Sequence, residues 1–175
     1  MNIKRAKNEI KNAKDGKPAK IIAKTNALIE QSAIDALYEA SQAGVKTDLI
    51  VRGICGLVPQ VKGLSENITV KSIVGIYLEH SRIYYFENGG NPLLFAGSGD
   101  LMPRNMFRRI ECIFPIENPS IKGRVIEEIL GSLLKDNMYS DYLHQNGAYY
   151  KDAKMKSAPQ FSAQEFFMQK EKPNI

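Results

Sequence analysis

Near the start of this chain, two short apolar runs flank a stretch with helical patterning, and that order restricts the fold more than any other feature. Ala19 to Thr25 reads as a strand. From about Ser32 to Ala43, Ile34, Leu37, Tyr38 and Ala40 recur at helical spacing. Asn26 and Ser32 offer turn or cap chemistry ahead of this helix, and Gly44 stands where a left-handed residue ends one. Lys46 to Arg52 then reads as a buried strand that finishes on a charge. A strand, a crossover helix and a second strand make a parallel pair, so the chain is expected to build an α/β sheet.

The remaining segments extend that sheet. Ile3 to Lys14 reads as a polar helix, stopped by Asp15-Gly16-Lys17-Pro18. Gly53 to Asn67 is too long for a plain connector, which marks it as a functional candidate. Ile68 to Val74 is a strand, and Gly75 to Glu79 bridges it to His80. Arg82 to Glu87 and Leu93 to Ala96 form a hairpin around Asn88-Gly89-Gly90-Asn91-Pro92. Arg108 to Pro115 reads as a further strand with Ile110, Cys112 and Phe114 on one face. Pro119 to Lys135 is the strongest helix, with Ser120 near its start and Ile126, Ile129, Leu130, Leu133 and Leu134 at helical spacing. In the tail, Gln145-Asn146-Gly147 signals a hairpin within Tyr142 to Tyr150, and Gln164 to Gln169 suits a last helical turn. The expected architecture is one α/β domain with a mixed sheet flanked by helices. Its parts are an N-terminal helix over 1–16, a core over 17–135 and a less regular tail over 136–175.

Composition narrows the setting. With 175 residues the chain can bury one good core. No apolar run reaches the roughly 18 residues of a membrane span, and the lysine-rich start lacks a signal peptide's apolar stretch, so a cytoplasmic protein is expected. Two cysteines, Cys55 and Cys112, are too few for a disulfide framework or a zinc site and are expected to be buried thiols. A net charge of +5 favours anionic partners. Much of it falls on Lys4, Arg5, Lys7, Lys11, Lys14, Lys17, Lys20 and Lys24, which a solvated helix face explains as well as a binding patch.

His80 is the first residue with chemical promise. Arg82, two positions on, points to the same side of an extended chain. A histidine and a cation on one face suit a phosphoryl oxygen: one exchanges a proton, the other neutralises charge. His80-Ser81-Arg82, then Glu87 and later Gly97-Ser98-Gly99-Asp100, resembles the His-x-Lys pattern of the phospholipase D superfamily. It departs from that pattern with Arg for Lys, Glu for Asp and three extra residues before Gly-Ser. Superfamily members use two such motifs, and the second is missing here. His144, in the tail, lacks the context and is expected to be structural.

Longer blocks give a narrower resemblance. Asp48-Leu49-Ile50-Val51-Arg52-Gly53-Ile54-Cys55, Gly63-Leu64-Ser65-Glu66-Asn67-Ile68, Ser72-Ile73-Val74-Gly75 through Leu78-Glu79-His80-Ser81-Arg82-Ile83, and Tyr85-Phe86-Glu87-Asn88-Gly89-Gly90 resemble segments of bacterial-type polyphosphate kinases. Met102-Pro103-Arg104-Asn105 with Arg108-Arg109 completes the set, so the likeness runs from about Lys17 to Leu134. The resemblance is to the C-terminal, phospholipase-D-like domain of that family.

That resemblance implies a division of labour. In the family, a histidine of the preceding domain attacks the terminal phosphate of ATP and becomes phosphohistidine, and the phosphate passes reversibly to polyphosphate. The C-terminal domain adds a second histidine and an arginine to the nucleotide site, which by motif are His80 and Arg52. Arg52, at a strand end and followed by Gly53, suits bidentate contact with phosphate oxygens. Glu79 or Glu87 is a candidate to orient the imidazole. Arg82, Arg104, Arg108 and Arg109 are candidates to guide polyphosphate, Arg104 foremost because it follows the Gly97-Ser98 loop, whose backbone N–H groups suit phosphate. The implied ligands are ATP or ADP, polyphosphate and Mg2+. No acidic cluster here has metal-ligand spacing, so metal contacts are expected in the upstream domains. The chain is expected to be inactive alone, homo-oligomeric as part of the whole enzyme, and cytoplasmic or peripheral at the membrane, with no nucleic-acid partner. Two other readings stay open: a phospholipase-D-type phosphodiesterase made by pairing two copies, and a non-catalytic polyanion-binding module.

Overall fold

A computed structural model describes residues 3–152 and 158–170. The extreme ends and the middle of the expected tail, residues 153–157, lie outside the described residues. Helix α1 (Ile3–Lys14) leads into β1 (Lys20–Thr25), α2 (Gln31–Gln42) and β2 (Lys46–Val51), and the two strands pair in parallel as expected. β3 (Ile68–Ile73) adds to β2 in parallel, and β4 (Arg82–Phe86) and β5 (Leu93–Gly97) form the hairpin. α3 (Pro103–Phe107), β6 (Ile113–Pro115), α4 (Pro119–Arg124), α5 (Gly131–Lys135), β7 (Ser140–Leu143), β8 (Tyr149–Tyr150) and α6 (Ala163–Lys170) follow. The sheet has eight strands in the order β6-β5-β4-β1-β2-β3-β7-β8. Only the central three run parallel; β4 and β7 pair antiparallel to β1 and β3.

The central strands are apolar on both faces because helices cover both. Ile21 and Ala23 of β1, Leu49 and Val51 of β2 and Val70 of β3 pack with Leu37 and Ala40 of α2. Ile22, Ile83 and Tyr85 face the other way onto Leu130, while Ile50 and Ile73 meet Leu133 and Ala163. Residues 119–135 are helical throughout, as expected, but a π-helical turn over Val125–Leu130 separates α4 from α5.

Local chemistry departs from expectation at several points. α2 is capped not by Asn26 or Ser32 but by buried Glu30, whose carboxylate accepts the Ala33 N–H at 2.7 Å and the Ser32 N–H at 3.1 Å. Asn118, ahead of the expected helix start, caps α4 by accepting the Ile121 N–H at 3.1 Å. The strand expected over Arg108 to Pro115 is only β6. β5 offers pairing as far as Gly97; beyond it the Ser98 N–H closes on the Cys112 carbonyl at 3.0 Å, and the chain from 98 loops out through α3. Cys112 is consequently exposed, and Cys55 is only half-buried.

The tail is tied to the core by a buried lysine. Lys71 of β3 donates to the carbonyls of Leu134 and Asp136 at 2.7 Å and of Leu133 at 3.2 Å, capping the end of α5. Burial pulls its ammonium down to about 8, against the upward pull of Asp136. Lys71→Met keeps the apolar stem but leaves these buried carbonyls unpaired. It is expected to lower unfolding stability by about 1–3 kcal/mol, read from urea melts.

Candidate functional site

Three chain segments meet at the carboxyl ends of the parallel strands, where α/β sheets open a crevice. Leu28, just past β1, bridges to Cys55 on one side and Leu101 on the other, and the Leu28 N–H donates to the Ile54 carbonyl at 2.9 Å. Gly53 lets the chain run close beside the end of β1: a Cβ there would lie 2.9 Å from the Asn26 carbonyl oxygen. This knot aims Arg52 inward and leaves a cleft of about 440 Å³. Arg52, His80, Arg82, Ser98 and Arg104 all line it, as does Arg109; Arg108 does not.

These residues are held very differently. Arg52 is anchored through its backbone, its N–H on the Thr25 carbonyl at 3.3 Å and its carbonyl accepting from the Ser72 hydroxyl at 3.2 Å. One terminal guanidinium nitrogen is buried with no hydrogen-bond partner among the described residues. A buried, unpaired cationic donor is costly unless an anion meets it. The imidazole of His80 is exposed and hydrogen-bonds to no described residue. Arg104 is also exposed, with its side chain unpaired among the described residues.

Arg82 is committed elsewhere. Its Nε and a terminal nitrogen fork onto Asp100 at 3.1 and 3.0 Å, and the other terminal nitrogen donates to the His80 carbonyl at 2.8 Å. Asp100 also accepts from the Asn26 N–H at 2.8 Å and the Thr25 hydroxyl at 3.0 Å. Burial alone would raise the Asp100 pKa; Arg82, Asn26 and Thr25 overcome it and hold the carboxyl down at about 2. Arg82 therefore fixes the backbone of His80 rather than standing open beside it.

Ser98 is likewise occupied. Its hydroxyl donates to Glu111 at 2.5 Å and accepts the Cys112 N–H at 3.1 Å, while its own N–H continues the sheet onto Cys112. The expectation that the Ser98 N–H faces phosphate is therefore corrected: strand pairing has used it. Neither acid expected to orient the imidazole does so. Glu79 pairs with Lys24 at 3.1 Å, and Glu87, at the far end of β4, accepts from the Tyr85 hydroxyl at 2.5 Å.

Sequence reasoning missed Asn26, Asp100, Asn105 and Glu111 as cleft residues. Asn105 donates to Glu111 at 2.6 Å and keeps a buried amide oxygen unpartnered among the described residues. Only Asp100 left a signal, as the acid closing Gly97-Ser98-Gly99-Asp100. The cleft carboxylates do not fit a magnesium ion, because Asp100 is occupied by Arg82, Thr25 and Asn26 and Glu111 by Ser98 and Asn105. Among the described residues, no cluster of three or more metal-ligating side chains forms, and no helix is long and apolar enough to cross a membrane.

A mixed sheet between helices, with a histidine at the crevice, defines a phospholipase-D-like fold. NucT from Helicobacter pylori shares it at a TM-score of 0.53 and 10% identity, over 75% of this chain and 89% of that one. Nuc, a phospholipase D family member from Salmonella typhimurium, does so at 0.52 and 12%, over 82% and 89%. Within that fold the chain belongs to the polyphosphate kinase family as its C-terminal domain, for the model of "Polyphosphate kinase C-terminal domain 2" matches residues 2–164. Polyphosphate kinase from Burkholderia cenocepacia is 59% identical over 141 residues, which is 81% of this chain and 20% of that protein. The Neisseria meningitidis serogroup B protein of that name is 54% identical over 153 residues, 87% and 22% respectively. The structure of polyphosphate kinase from Porphyromonas gingivalis superposes with a TM-score of 0.89 at 37% identity, covering 95% of this chain and 25% of that one. The chain thus spans about a fifth of the length of the curated relatives it matches.

Proposed function

We propose that this chain grips the terminal phosphates of ATP and supplies a second active-site histidine to a phosphoryl transfer whose nucleophile lies in the upstream part of the enzyme. The buried Arg52 nitrogen without a partner, in a cleft shared with an unengaged His80, carries this reading. A γ-phosphate oxygen seated on Arg52 would satisfy that donor and fix the phosphorus beside the imidazole. An upstream imidazole nitrogen then attacks the γ-phosphorus. The bond to the β,γ-bridging oxygen breaks, and ADP leaves with that electron pair. In a second step the phosphoryl group passes to a terminal oxygen of polyphosphate, and the reverse sequence makes ATP.

In this scheme His80 either donates a proton to a leaving oxygen or holds the phosphoryl oxygens by a hydrogen bond. Arg104 and Arg109 meet the polyanion at the mouth of the cleft, with an affinity that falls as salt rises. Arg82 acts by positioning. Any magnesium bound with ATP would find its protein ligands outside this cleft, because Asp100 and Glu111 are already paired. The commitment of Arg82 to Asp100 weighs against the paired phosphodiesterase, whose cation would need to share an open face with the histidine.

The test joins this chain to the upstream part of a polyphosphate kinase and follows ATP-dependent polyphosphate synthesis, with Arg52→Lys as the probe. A point charge cannot reproduce the planar fork, so kcat/KM for ATP is expected to fall by about one to two orders of magnitude. An unchanged kcat/KM, or no synthesis by the joined wild-type protein, would overturn the assignment.

A further inference from the structure

The segment that carries His80 has little apolar anchorage. Between β3 and β4, Val74, Ile76, Tyr77 and Leu78 are 69%, 55%, 54% and 76% exposed. Something else must hold the histidine in place, because a side chain on a free loop cannot keep the sub-ångström placement that phosphoryl transfer needs.

The C-terminal helix supplies the hold. Gln164, near the start of α6, is buried, and its amide acts as a one-residue strand partner. Its Oε1 accepts the Tyr77 N–H at 2.9 Å, and its Nε2 donates to the Tyr77 carbonyl at 2.9 Å. The same Nε2 donates to Glu79 at 2.9 Å, and the other Glu79 oxygen meets the Lys24 ammonium at 3.1 Å. Lys24 in turn donates to the Ser81 carbonyl at 3.3 Å. Both neighbours of His80 are therefore fixed through one chain of contacts from α6 to β1. Gly75 completes the fit: a Cβ there would lie 2.5 Å from Gln164 Oε1 and 2.9 Å from its amide carbon. The start of α6 is itself pinned, with the Ala163 N–H on Asp136 at 2.8 Å.

We propose that Gln164 is a positioning residue for His80: it docks the segment of residues 75–81 against α6 so that the imidazole meets the phosphate at a fixed distance. The role rests on His80 being an active-site residue. It predicts a defect in turnover rather than in ATP binding, because Arg52, just past the end of β2, is anchored by Thr25 and Ser72 and not by this segment.

The test uses two variants that break the contact from opposite sides, Gln164→Ala by removing the amide and Gly75→Ala by displacing it. In the chain alone, amide hydrogen exchange at Tyr77 is expected to accelerate about tenfold or more in each. In the enzyme assembled with its upstream part, kcat is expected to fall roughly 10- to 100-fold with KM for ATP within about twofold. The double variant should be no worse than either single one, since both remove the same contact. Unchanged exchange at Tyr77, or a loss confined to KM, overturns the proposal. With His80→Ala inactive, full activity in Gly75→Ala and Gln164→Ala overturns the positioning role alone. Full activity in His80→Ala overturns the reading of His80 itself, and the role of Gln164 with it.

Discussion

Replacing His80 by alanine is expected to cut ATP-dependent polyphosphate synthesis by about 10²- to 10⁴-fold in the assembled enzyme, the span of a lost proton donor or phosphoryl-positioning group. The fold should not notice. The imidazole is exposed and hydrogen-bonds to no described residue, so unfolding stability should stay within about 0.5 kcal/mol of wild type. That contrast makes the experiment decisive, because most variants that silence an enzyme also loosen it. Initial rates at saturating ATP, set beside a urea melt of the same preparation, measure both halves. Normal synthesis in the folded variant would remove His80 from the mechanism.

The second large effect is on stability and centres on Asp100. Asp100→Ala strands the Arg82 guanidinium, whose side chain is only 16% exposed, beside the donors of Asn26 and Thr25. Removing one partner of a buried ion pair costs about 3–5 kcal/mol. A pH signature accompanies it. The folded Asp100 carboxyl lies at about 2, below its unfolded value near 3.8. Its contribution, about 2 kcal/mol by linkage, is therefore complete above the unfolded pKa and is lost as pH falls through the folded one. Wild type should lose stability steeply between roughly pH 4 and pH 2. Asp100→Asn should lack that share of the acid slope. Urea midpoints from pH 7 down to pH 2 test this, and an unaltered slope in the asparagine variant would refute the role given to Asp100.

The central sheet was legible because its signals are local. The short apolar run of β1, the helical spacing of Leu37 and Ala40, and Gly44 with a left-handed φ of 87° all lie within a few residues of what they determine. Reading went wrong where a distant partner decides. The segment 108–112 has strand-like alternation, but β5 is too short to receive it, and a sequence does not display how much edge its neighbour offers. Glu30 at the cap of α2 overrode the usual preference for short polar side chains, because its carboxylate folds back over its own helix start.

The site divides in the same way. His80 was singled out by its spacing to Arg82, and Arg52 through family likeness; the structure brings both into one cleft. The partner of Arg82 lies eighteen residues on, across the β4–β5 hairpin, so two residues that looked alike from spacing, His80 and Arg82, stand in different conditions. Gln164 left no sequence signal, for its meaning depends on Tyr77, 87 positions earlier.

That separation has a consequence for how the protein is made. A ribosome delivers chain from the N-terminus at about 5–20 residues per second, so β1 to β4 and α2 emerge and can collapse well before α6 exists. β3 meanwhile waits with an open edge until Ser140–Leu143 arrive to pair with it. His80 is thus translated early and secured late. A nascent or prematurely terminated product lacking residues past 160 would hold Arg52 in a nearly finished sheet while the segment that carries His80 lacks its Gln164 anchor.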